Sequence, residues 1–445
     1  VENGVDITKQ YKEIGISYIR THDLDNAIFP CDISTIFPDE TADPSLESSY
    51  DFIMSDSYIK SIINADCKVF YRLGESAGGP NDPPSNFNKW ANVCTHIIMH
   101  YNDGWKNGYN YNISYWEIWN EPDLTGFWNG TANQYYELYK ITANTLKEYN
   151  SSLKIGGPCT SSVYNENFTT NFLQYVIDNN VPLDFYSWHM YADNPYQIYR
   201  ASTLVRNYLD SYKLTDCENI NTEWNINILT PQREKDNSKN AAFTACSLTA
   251  FQDCYMDKAF RYRGTQDNNW LARLIGFDLS LFSYNGVYKK PTLSYLAMNY
   301  LVKDSPIRLK TPDMNASSRL TYLAGVSEDK TNISILISNF DSLENEYKLL
   351  ISNLSFSNSY DVVYYLIDSK NNFKIIEKTE SSNKNYSLIK TIVKNSVQFI
   401  RLTNSSIIPE EGPETADIPF ILQIKFLDPF TRMLGIFIFL LIFDI

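Results

Sequence analysis

The segment YWEIWNEPD, residues 115–123, decides the fold. It is an apolar, strand-like run that stops abruptly at Asn120-Glu121-Pro122, since proline lacks the N–H that a sheet ladder requires. Strands that are apolar along their whole length are typical of parallel sheets covered by helices. Functional side chains in such folds follow the carboxyl ends of the strands, so we expect Glu121 to point into the mouth that those ends form.

Similar apolar runs recur along the chain and alternate with helix-patterned stretches such as Asn88–Tyr101 and Thr131–Tyr149. The predicted strands are Ile16–Arg20, Lys68–Leu73, Tyr115–Trp119, Leu153–Gly156, Asp184–Trp188, Asn219–Glu223 and Phe277–Phe282. This rhythm predicts a (β/α)8 TIM barrel over residues 1–302. Such a barrel needs eight strands, and only a helix-like segment, Val5–Ile14, precedes these seven, so the first strand is expected to be absent from this chain.

After Val302 the pattern changes to short strand-like runs separated by Asn, Ser and Asp turns, which predicts a smaller antiparallel β-sandwich over residues 303–403. Residues 404–417 are expected to be a linker, and residues 418–445 an apolar C-terminal tail. The tail contains MLGIFIFLLIF at 433–443, which is shorter than the roughly 20 apolar residues that cross a bilayer. A membrane anchor and a buried tail both remain open for it.

Composition narrows the possible partners and the location. The net charge of −14 argues against nucleic-acid binding, which needs basic patches. Residues 1–15 are polar and lack the apolar core of a signal peptide, so a signal is expected either to have been removed or to lie outside this sequence. A secreted or lumenal glycoprotein is predicted from nine N-glycosylation sequons, which begin at Asn112, Asn129, Asn150, Asn167, Asn315, Asn332, Asn353, Asn385 and Asn404.

A second strand, in NTEWN at 221–225, also closes with a carboxylate, Glu223. Three strand positions separate Glu223 from Glu121, so the two are expected to face each other across the barrel mouth. Two such carboxyls, one protonated and one ionised, suit glycoside cleavage by double displacement, with Glu121 as acid/base and Glu223 as nucleophile. No metal or organic cofactor is expected. The seven cysteines show no metal-ligand spacing, and the pair His96 and His100 has no evident third ligand.

Five ordered motifs carry a family resemblance: YIRTHD at 18–23, WEIWNEPD at 116–123, IGGP at 155–158, PLDFYSWHMY at 182–191 and NTEWN at 221–225. Together they resemble glycoside hydrolase family 39, which includes β-xylosidases and α-L-iduronidases. The resemblance implies that the acid/base lies on barrel strand four and the nucleophile on strand seven. It also implies that His22, Asn120, His189 and Tyr191 line the subsite of the cleaved sugar.

Two aromatic residues near the strand ends, Tyr191 and Trp224, are predicted sugar platforms, with ordinary packing as the alternative. Arg20 is expected to position the nucleophile. The predicted function is a retaining β-xylosidase-like exo-glycosidase on plant-type oligosaccharides or glycosides. Arabinosidase or α-L-iduronidase activity, an endo-acting barrel and a catalytically inactive carbohydrate-binding relative are the alternatives. The sequence does not determine the oligomeric state.

Overall fold

Seven parallel strands, hydrogen-bonded in chain order, form the barrel sheet. The computed structural model describes residues 5–22, 29–265, 276–311, 319–354, 356, 359–404 and 408–415. The strands of this sheet are β1 Tyr18–Arg20, β2 Lys68–Leu73, β3 Tyr115–Ile118, β4 Lys154–Thr160, β5 Phe185–Ala192, β6 Glu218–Ile226 and β7 Lys258–Arg261. The predicted barrel architecture is confirmed, and the first six predicted strands agree with β1 to β6 to within a few residues.

Helices alternate with these strands and cover the sheet. They are α1 Thr8–Glu13, α2 Ile33–Ile36, α3 Ile53–Asn64, α4 Phe87–Asp103, α5 Ala132–Tyr149, α6 Glu166–Asp178, α7 Pro195–Ser211, α8 Gln232–Lys235, α9 Ser238–Phe251 and α10 Lys290–Asp304. Helix α5 begins with a capping box, in which the backbone N–H of Gln134 donates to Thr131 Oγ1 at 3.2 Å and that of Thr131 donates to Gln134 Oε1 at 2.8 Å.

The prediction of a seventh strand at Phe277–Phe282 is wrong. Within that segment, Phe282 forms only an isolated bridge with Tyr288, and the backbone N–H of Leu281 donates to the carbonyls of Arg263 and Gly264. The segment is apolar because Leu281 and Phe282 are buried as irregular chain. The true seventh strand, Lys258–Arg261, is half-exposed and carries two cations, so it lacks the hydrophobic signal of the other strands.

Among the described residues, β1 is paired only with β2, and β7 only with β6. A cavity of about 740 Å³ lies at these two strand edges and is lined by residues of β1, β7 and α1. Arg20, His22 and Glu223 also line this cavity, so it reaches the polar residues at the strand ends.

The barrel interior is layered. A mainly aromatic layer near the amino ends of the strands consists of Phe70, Tyr115, Phe185 and Ile220, with Tyr18 and Phe260 packed against it. Side chains two positions further along a strand point the same way, so Arg20 follows Tyr18 and Glu117 follows Tyr115 into the next layer. The buried polar groups of the site therefore lie on an aromatic floor.

The region after the barrel is antiparallel, as predicted. A six-stranded sheet has the order β13-β12-β15-β10-β9-β8, and β11 pairs with β14. Its strands are β8 Ile307–Arg308, β9 Leu320–Val326, β10 Asn332–Asn339, β11 Glu346–Ile351, β12 Tyr360–Ile367, β13 Asn372–Ser381, β14 Tyr386–Thr391 and β15 Ser396–Thr403.

Alternation along β10 shows how this region packs. Ile333, Ile335 and Ile337 belong to an apolar cluster that the β11–β14 pair also joins. Leu336, on the opposite face, belongs to the main core, and Ser338 Oγ donates to the Ala242 carbonyl of α9 at 2.8 Å. The sandwich therefore packs directly on barrel helices.

Part of the expected linker, residues 408–415, contacts the sandwich: Tyr365 Oη donates to the carbonyl of Pro409 at 2.7 Å, and the N–H of Gly412 donates to the carbonyl of Phe373 at 3.0 Å. The predicted tail, 418–445, lies outside the described residues. In the described part of the chain, no helix has the length and apolarity needed to cross a bilayer. All seven cysteines are described and none is in a disulfide.

Candidate active site

Glu121 is carried by an irregular turn directly after β3. The strand ends at Ile118, and both Trp119 and Glu121 have left-handed backbone conformations, with φ of 75° and 44°. The backbone N–H of Trp119 donates to the carbonyl of Leu73 at 2.7 Å, and that of Glu121 to the carbonyl of Cys159 at 2.9 Å. A non-glycine residue in this conformation costs about 1–2 kcal/mol, so neighbouring strands hold a strained turn that aims the carboxylate.

Glu223 lies within β6 and is surrounded by hydrogen-bond donors. Its Oε1 lies 3.0 Å from Arg20 Nη1 and 3.1 Å from His22 Nε2. Its Oε2 accepts the Tyr191 hydroxyl at 2.7 Å and lies 3.5 Å from His189 Nδ1. The predicted role of Arg20 in positioning Glu223 agrees with this contact, and the donors fix both oxygens of the carboxylate.

The two glutamates meet through His189. The His189 Nδ1 atom lies 2.6 Å from Glu121 Oε1, with the imidazole completely buried. One carboxylate oxygen of Glu121, one ring nitrogen of His189 and one carboxylate oxygen of Glu223 all lie within 4.8 Å of one another. The structure therefore brings the two sequence-predicted carboxylates together in one site.

Their environments move the two pKa values in opposite directions. Burial raises the pKa of Glu121 above its ordinary value, although the hydrogen bond from His189 opposes the rise. Burial also acts to raise the pKa of Glu223, but the charges and hydrogen bonds of His189, His22 and Arg20 outweigh it and hold that pKa far below the ordinary range. Two carboxyls of unlike acidity are the combination required of an acid and a nucleophile.

His22 is the neutral donor of this set. Burial lowers the pKa of His22 to about 4 despite its contact with Glu223. Its ring packs edge-on against Tyr262, which in turn lies edge-on to Tyr191, with ring centroids 5.4 and 6.3 Å apart. Tyr262 is a site neighbour that the sequence did not single out, because it follows the unpredicted strand β7.

The Arg20 guanidinium bonds both to Glu223 and to polar groups deeper in the barrel. Its Nε donates to Glu117 Oε2 at 2.6 Å, and its Nη2 donates to Asn120 Oδ1 at 2.7 Å and contacts Cys159 Sγ at 3.1 Å. This contact makes the carbonyl end of Asn120 the acceptor, so its amide N–H groups are the end available to a sugar hydroxyl. Glu117 was missed in the sequence, although a charge inside an apolar strand was the available signal.

Trp224 does not reach the site, contrary to the expectation of a sugar platform. Its ring is buried, lies edge-on to Phe251 of α9 at 4.9 Å and stacks under the Arg261 guanidinium at 4.7 Å. Adjacent strand residues point to opposite faces, so Glu223 faces the barrel interior while Trp224 faces the helices. Tyr191 is placed at the site by its bond to Glu223.

Glu121, His189 and Glu223 are also the group of potential metal ligands that the described residues bring together. Within this group, the His189 imidazole is hydrogen-bonded to Glu121, and Glu223 is hydrogen-bonded to Arg20.

A parallel barrel with two glutamates gathered at its strand ends defines the class of glycoside hydrolase barrels. The family model described as "Glycosyl hydrolases family 39" matches residues 4–320, and the chain belongs to this family. The family membership predicted from the sequence motifs is thereby confirmed.

Individual relatives agree with this membership. A beta-xylosidase of Geobacillus stearothermophilus is 29% identical over 205 residues, and one of Caldicellulosiruptor saccharolyticus is 30% identical over 195 residues. These matches cover 41% and 40% of this chain and 37% of each relative, so they span little more than a third of either curated protein. The crystal structure of a glucosidase from Croceicoccus marinus has a TM-score of 0.79 at 25% identity and covers 91% of this chain and 92% of that one.

Proposed function

We propose that the protein is a retaining glycoside hydrolase with Glu121 as acid/base and Glu223 as nucleophile. The observation that carries the proposal is the separation of the two carboxylates, whose nearest potential ligand oxygens lie within 4.8 Å. Retaining enzymes hold their carboxyls about 5–5.5 Å apart, whereas inverting enzymes need about 6.5–9.5 Å to admit a water molecule. The close pair supports direct attack by one carboxylate on the sugar.

The first step forms a covalent intermediate. The ionised Glu223 attacks the anomeric carbon and forms an ester, while the bond to the leaving oxygen breaks and Glu121 donates its proton to that oxygen. In the second step, Glu121, now a carboxylate, takes a proton from water as the water oxygen attacks the anomeric carbon. Glu223 leaves as a carboxylate, and both groups return to their starting states.

The surrounding residues support these two roles. Tyr191, His22 and Arg20 hold the nucleophile in its ionised form through the contacts described above. Burial raises the pKa of Glu121, which favours the protonated form that the leaving group needs. The amide of Asn120 is available to a sugar hydroxyl beside the reacting carbon, and a contact of that kind strengthens as the transition state forms.

The guanidinium in contact with the nucleophile is not available to the carboxylate of a uronide substrate. A substrate carboxylate needs a cation, but the Arg20 guanidinium is already bonded to Glu117, Glu223 and Asn120. The two curated relatives named above are beta-xylosidases. We therefore propose a β-xyloside as the substrate, with other neutral glycosides, including glucosides, as the next to test.

The test is hydrolysis of a panel of nitrophenyl glycosides, followed by Glu223→Ala with and without azide. We expect release of one sugar, loss of that activity by at least about 10⁴-fold in the variant, and partial rescue by azide with a glycosyl azide of inverted configuration as product. The matched control is Glu218→Ala, at the opposite end of the same strand, which should keep the activity. Sugar binding without turnover by the intact protein would instead indicate a carbohydrate-binding relative.

A further inference from the structure

Cys159 occupies an unusual position at the end of β4. The parallel register between β4 and β5 shifts between Pro158 and Thr160, so Cys159 is an extra residue in the ladder. It has a left-handed backbone, with φ of 58°, and its side chain is completely buried. Bulges of this kind re-aim a side chain, and here the bulge directs the sulfur toward the catalytic layer.

The Cys159 sulfur contacts the imidazole that bridges the two glutamates. Its Sγ lies 3.0 Å from His189 Nε2, while His189 Nδ1 lies 2.6 Å from Glu121 Oε1. The carbonyl of Cys159 also accepts the backbone N–H of Glu121 at 2.9 Å. Cys159 therefore holds the acid/base residue both through the backbone and through His189.

We propose that Cys159 is a positioning residue that fixes the proton of His189 on Nδ1, so that this imidazole always presents an N–H to Glu121. The proposal rests on the function proposed above, in which Glu121 is the acid/base. It concerns the hydrogen bond behind His189, and its structural part is testable without turnover.

The directions of the hydrogen bonds follow from the available donors. Arg20 Nη2 donates to Cys159 Sγ at 3.1 Å, so the sulfur is an acceptor on that side. The thiol proton has three acceptors within reach: His189 Nε2 at 3.0 Å, Asn120 Oδ1 at 3.4 Å and Thr222 Oγ1 at 3.6 Å. The shorter contact is favoured because Asn120 Oδ1 already accepts from Arg20 at 2.7 Å.

With this geometry, Nδ1 of His189 donates to Glu121 whether the histidine is neutral or protonated. A neutral His189 accepts the thiol proton on Nε2 and carries its own proton on Nδ1. A protonated His189 donates from Nε2 to the sulfur and still donates from Nδ1 to Glu121. Burial raises the pKa of the Cys159 thiol, which keeps it available as a donor.

Several other titratable groups act on His189, Cys159 and Glu121. The titratable groups that act on His189 are Cys159, Glu223 and Glu121, and those that act on Cys159 also include Glu117 and Arg20. Asp123 is a further charge acting on Glu121. Among the described contacts, Cys159 is the one member of this set that bonds to Nε2 of His189. Removal of the thiol therefore removes the bond at that nitrogen, together with the contacts of the sulfur to Arg20 and Asn120.

Replacing the thiol of Cys159 by hydrogen changes which tautomer is favoured. Burial acts to lower the pKa of His189, but the contacts to Cys159, Glu223 and Glu121 outweigh it and raise that pKa, and Cys159→Ala removes the first of these contacts. A neutral His189 then lacks the donor at Nε2 and can place its proton there, so Nδ1 becomes an acceptor. It then accepts the proton of neutral Glu121 and stabilises the acid form, which raises the pKa of that carboxyl. We expect the basic limb of the kcat/KM profile to move up by about one pH unit.

The experiment compares Cys159→Ala, Cys159→Ser and Cys94→Ala with the unchanged protein. Cys94 is an equally buried cysteine in α4, so its variant controls for loss of a buried thiol. Serine retains a donor toward Nε2 and should return the basic limb toward its original position. Thermal unfolding of each variant confirms that the profiles are measured on folded protein.

A second readout separates this proposal from the proposed function. The chain has four histidines, so ¹⁵N-histidine NMR spectra, assigned by a His189→Gln variant, report the proton positions on both ring nitrogens. We expect a proton on Nδ1 of His189 in the unchanged protein and a growing Nε2–H form in Cys159→Ala only. Identical histidine spectra and pH profiles in Cys159→Ala and the unchanged protein would overturn the proposal. An Nδ1–H signal in a protein that cleaves no glycoside would leave this inference standing and refute the function.

Discussion

Arg20 offers the sharpest test of what stabilises the site, because one buried guanidinium forms ion pairs with two buried carboxylates. Its Nε lies 2.6 Å from Glu117 and its Nη1 lies 3.0 Å from Glu223. The side-chain exposures are 5% for Arg20, 0% for Glu117 and 8% for Glu223, so bulk water offers Glu117 little compensation for the lost partner. The perturbation is Arg20→Met, which keeps much of the volume and removes the charge.

The magnitude follows from the charge left behind. Removing one partner of a buried ion pair costs about 3–5 kcal/mol, because the remaining charge is uncompensated. Glu223 keeps His22 and Tyr191 as donors, whereas Glu117 Oε1 has no hydrogen-bond partner among the described residues even in the intact site. Most of the cost should therefore come from Glu117.

This origin can be tested with the double variant Arg20→Met/Glu117→Gln. Replacing the carboxylate by an amide of the same shape removes the unpaired charge, and replacing both partners of a buried pair is often close to neutral. We expect the double variant to recover at least about 2 kcal/mol of the unfolding free energy lost in Arg20→Met. Its activity should remain low, since the nucleophile still lacks its guanidinium.

The assay is urea-induced unfolding of the unchanged protein, Arg20→Met, Glu117→Gln and the double variant, followed by fluorescence and by circular dichroism at one pH. If Arg20→Met costs less than about 1 kcal/mol, or if the two substitutions act additively, the ion pair is not what stabilises the site and the reasoning is refuted. If Arg20→Met does not fold and the double variant does, the uncompensated charge of Glu117 is confirmed as the cause.

Three further predictions concern single side chains. Tyr191→Phe removes the hydrogen bond to Glu223 Oε2, so kcat/KM should fall by about 10-fold or more with little change in unfolding free energy; unchanged steady-state kinetics would contradict this role. The kcat/KM of the unchanged protein should fall as pH rises through the raised pKa of Glu121, because the acid loses its proton. Glu121→Gln should abolish this basic limb and lower activity chiefly on substrates with poor leaving groups. A basic limb that persists in the variant would assign the limb to another group. Trp224→Phe should lower the melting temperature through lost packing while leaving KM unchanged, and a large rise in KM without destabilisation would restore the sugar-platform interpretation.

Much of the site was predictable from sequence because strand ends in a parallel barrel must converge. The two glutamates each follow or close an apolar strand, so chain order alone placed them at one mouth. His189 and Tyr191 lie near the end of another such strand for the same reason. Trp224 was misplaced because a bulge and the alternation of side chains decide which face a residue takes, and neither is visible in the composition of the segment.

The sequence by itself determined the barrel, the antiparallel region after it and the identity of the paired carboxylates, because these depend on local patterns of apolar residues and on proline. Only the tertiary structure decided which partners surround those carboxylates. Arg20 lies 97 positions from Glu117 and 203 from Glu223, and Cys159 lies 30 from His189. The acidity of each group depends on burial and on such distant neighbours, so the assignment of one glutamate as acid and the other as nucleophile gains its physical basis only when the strands are closed into a barrel.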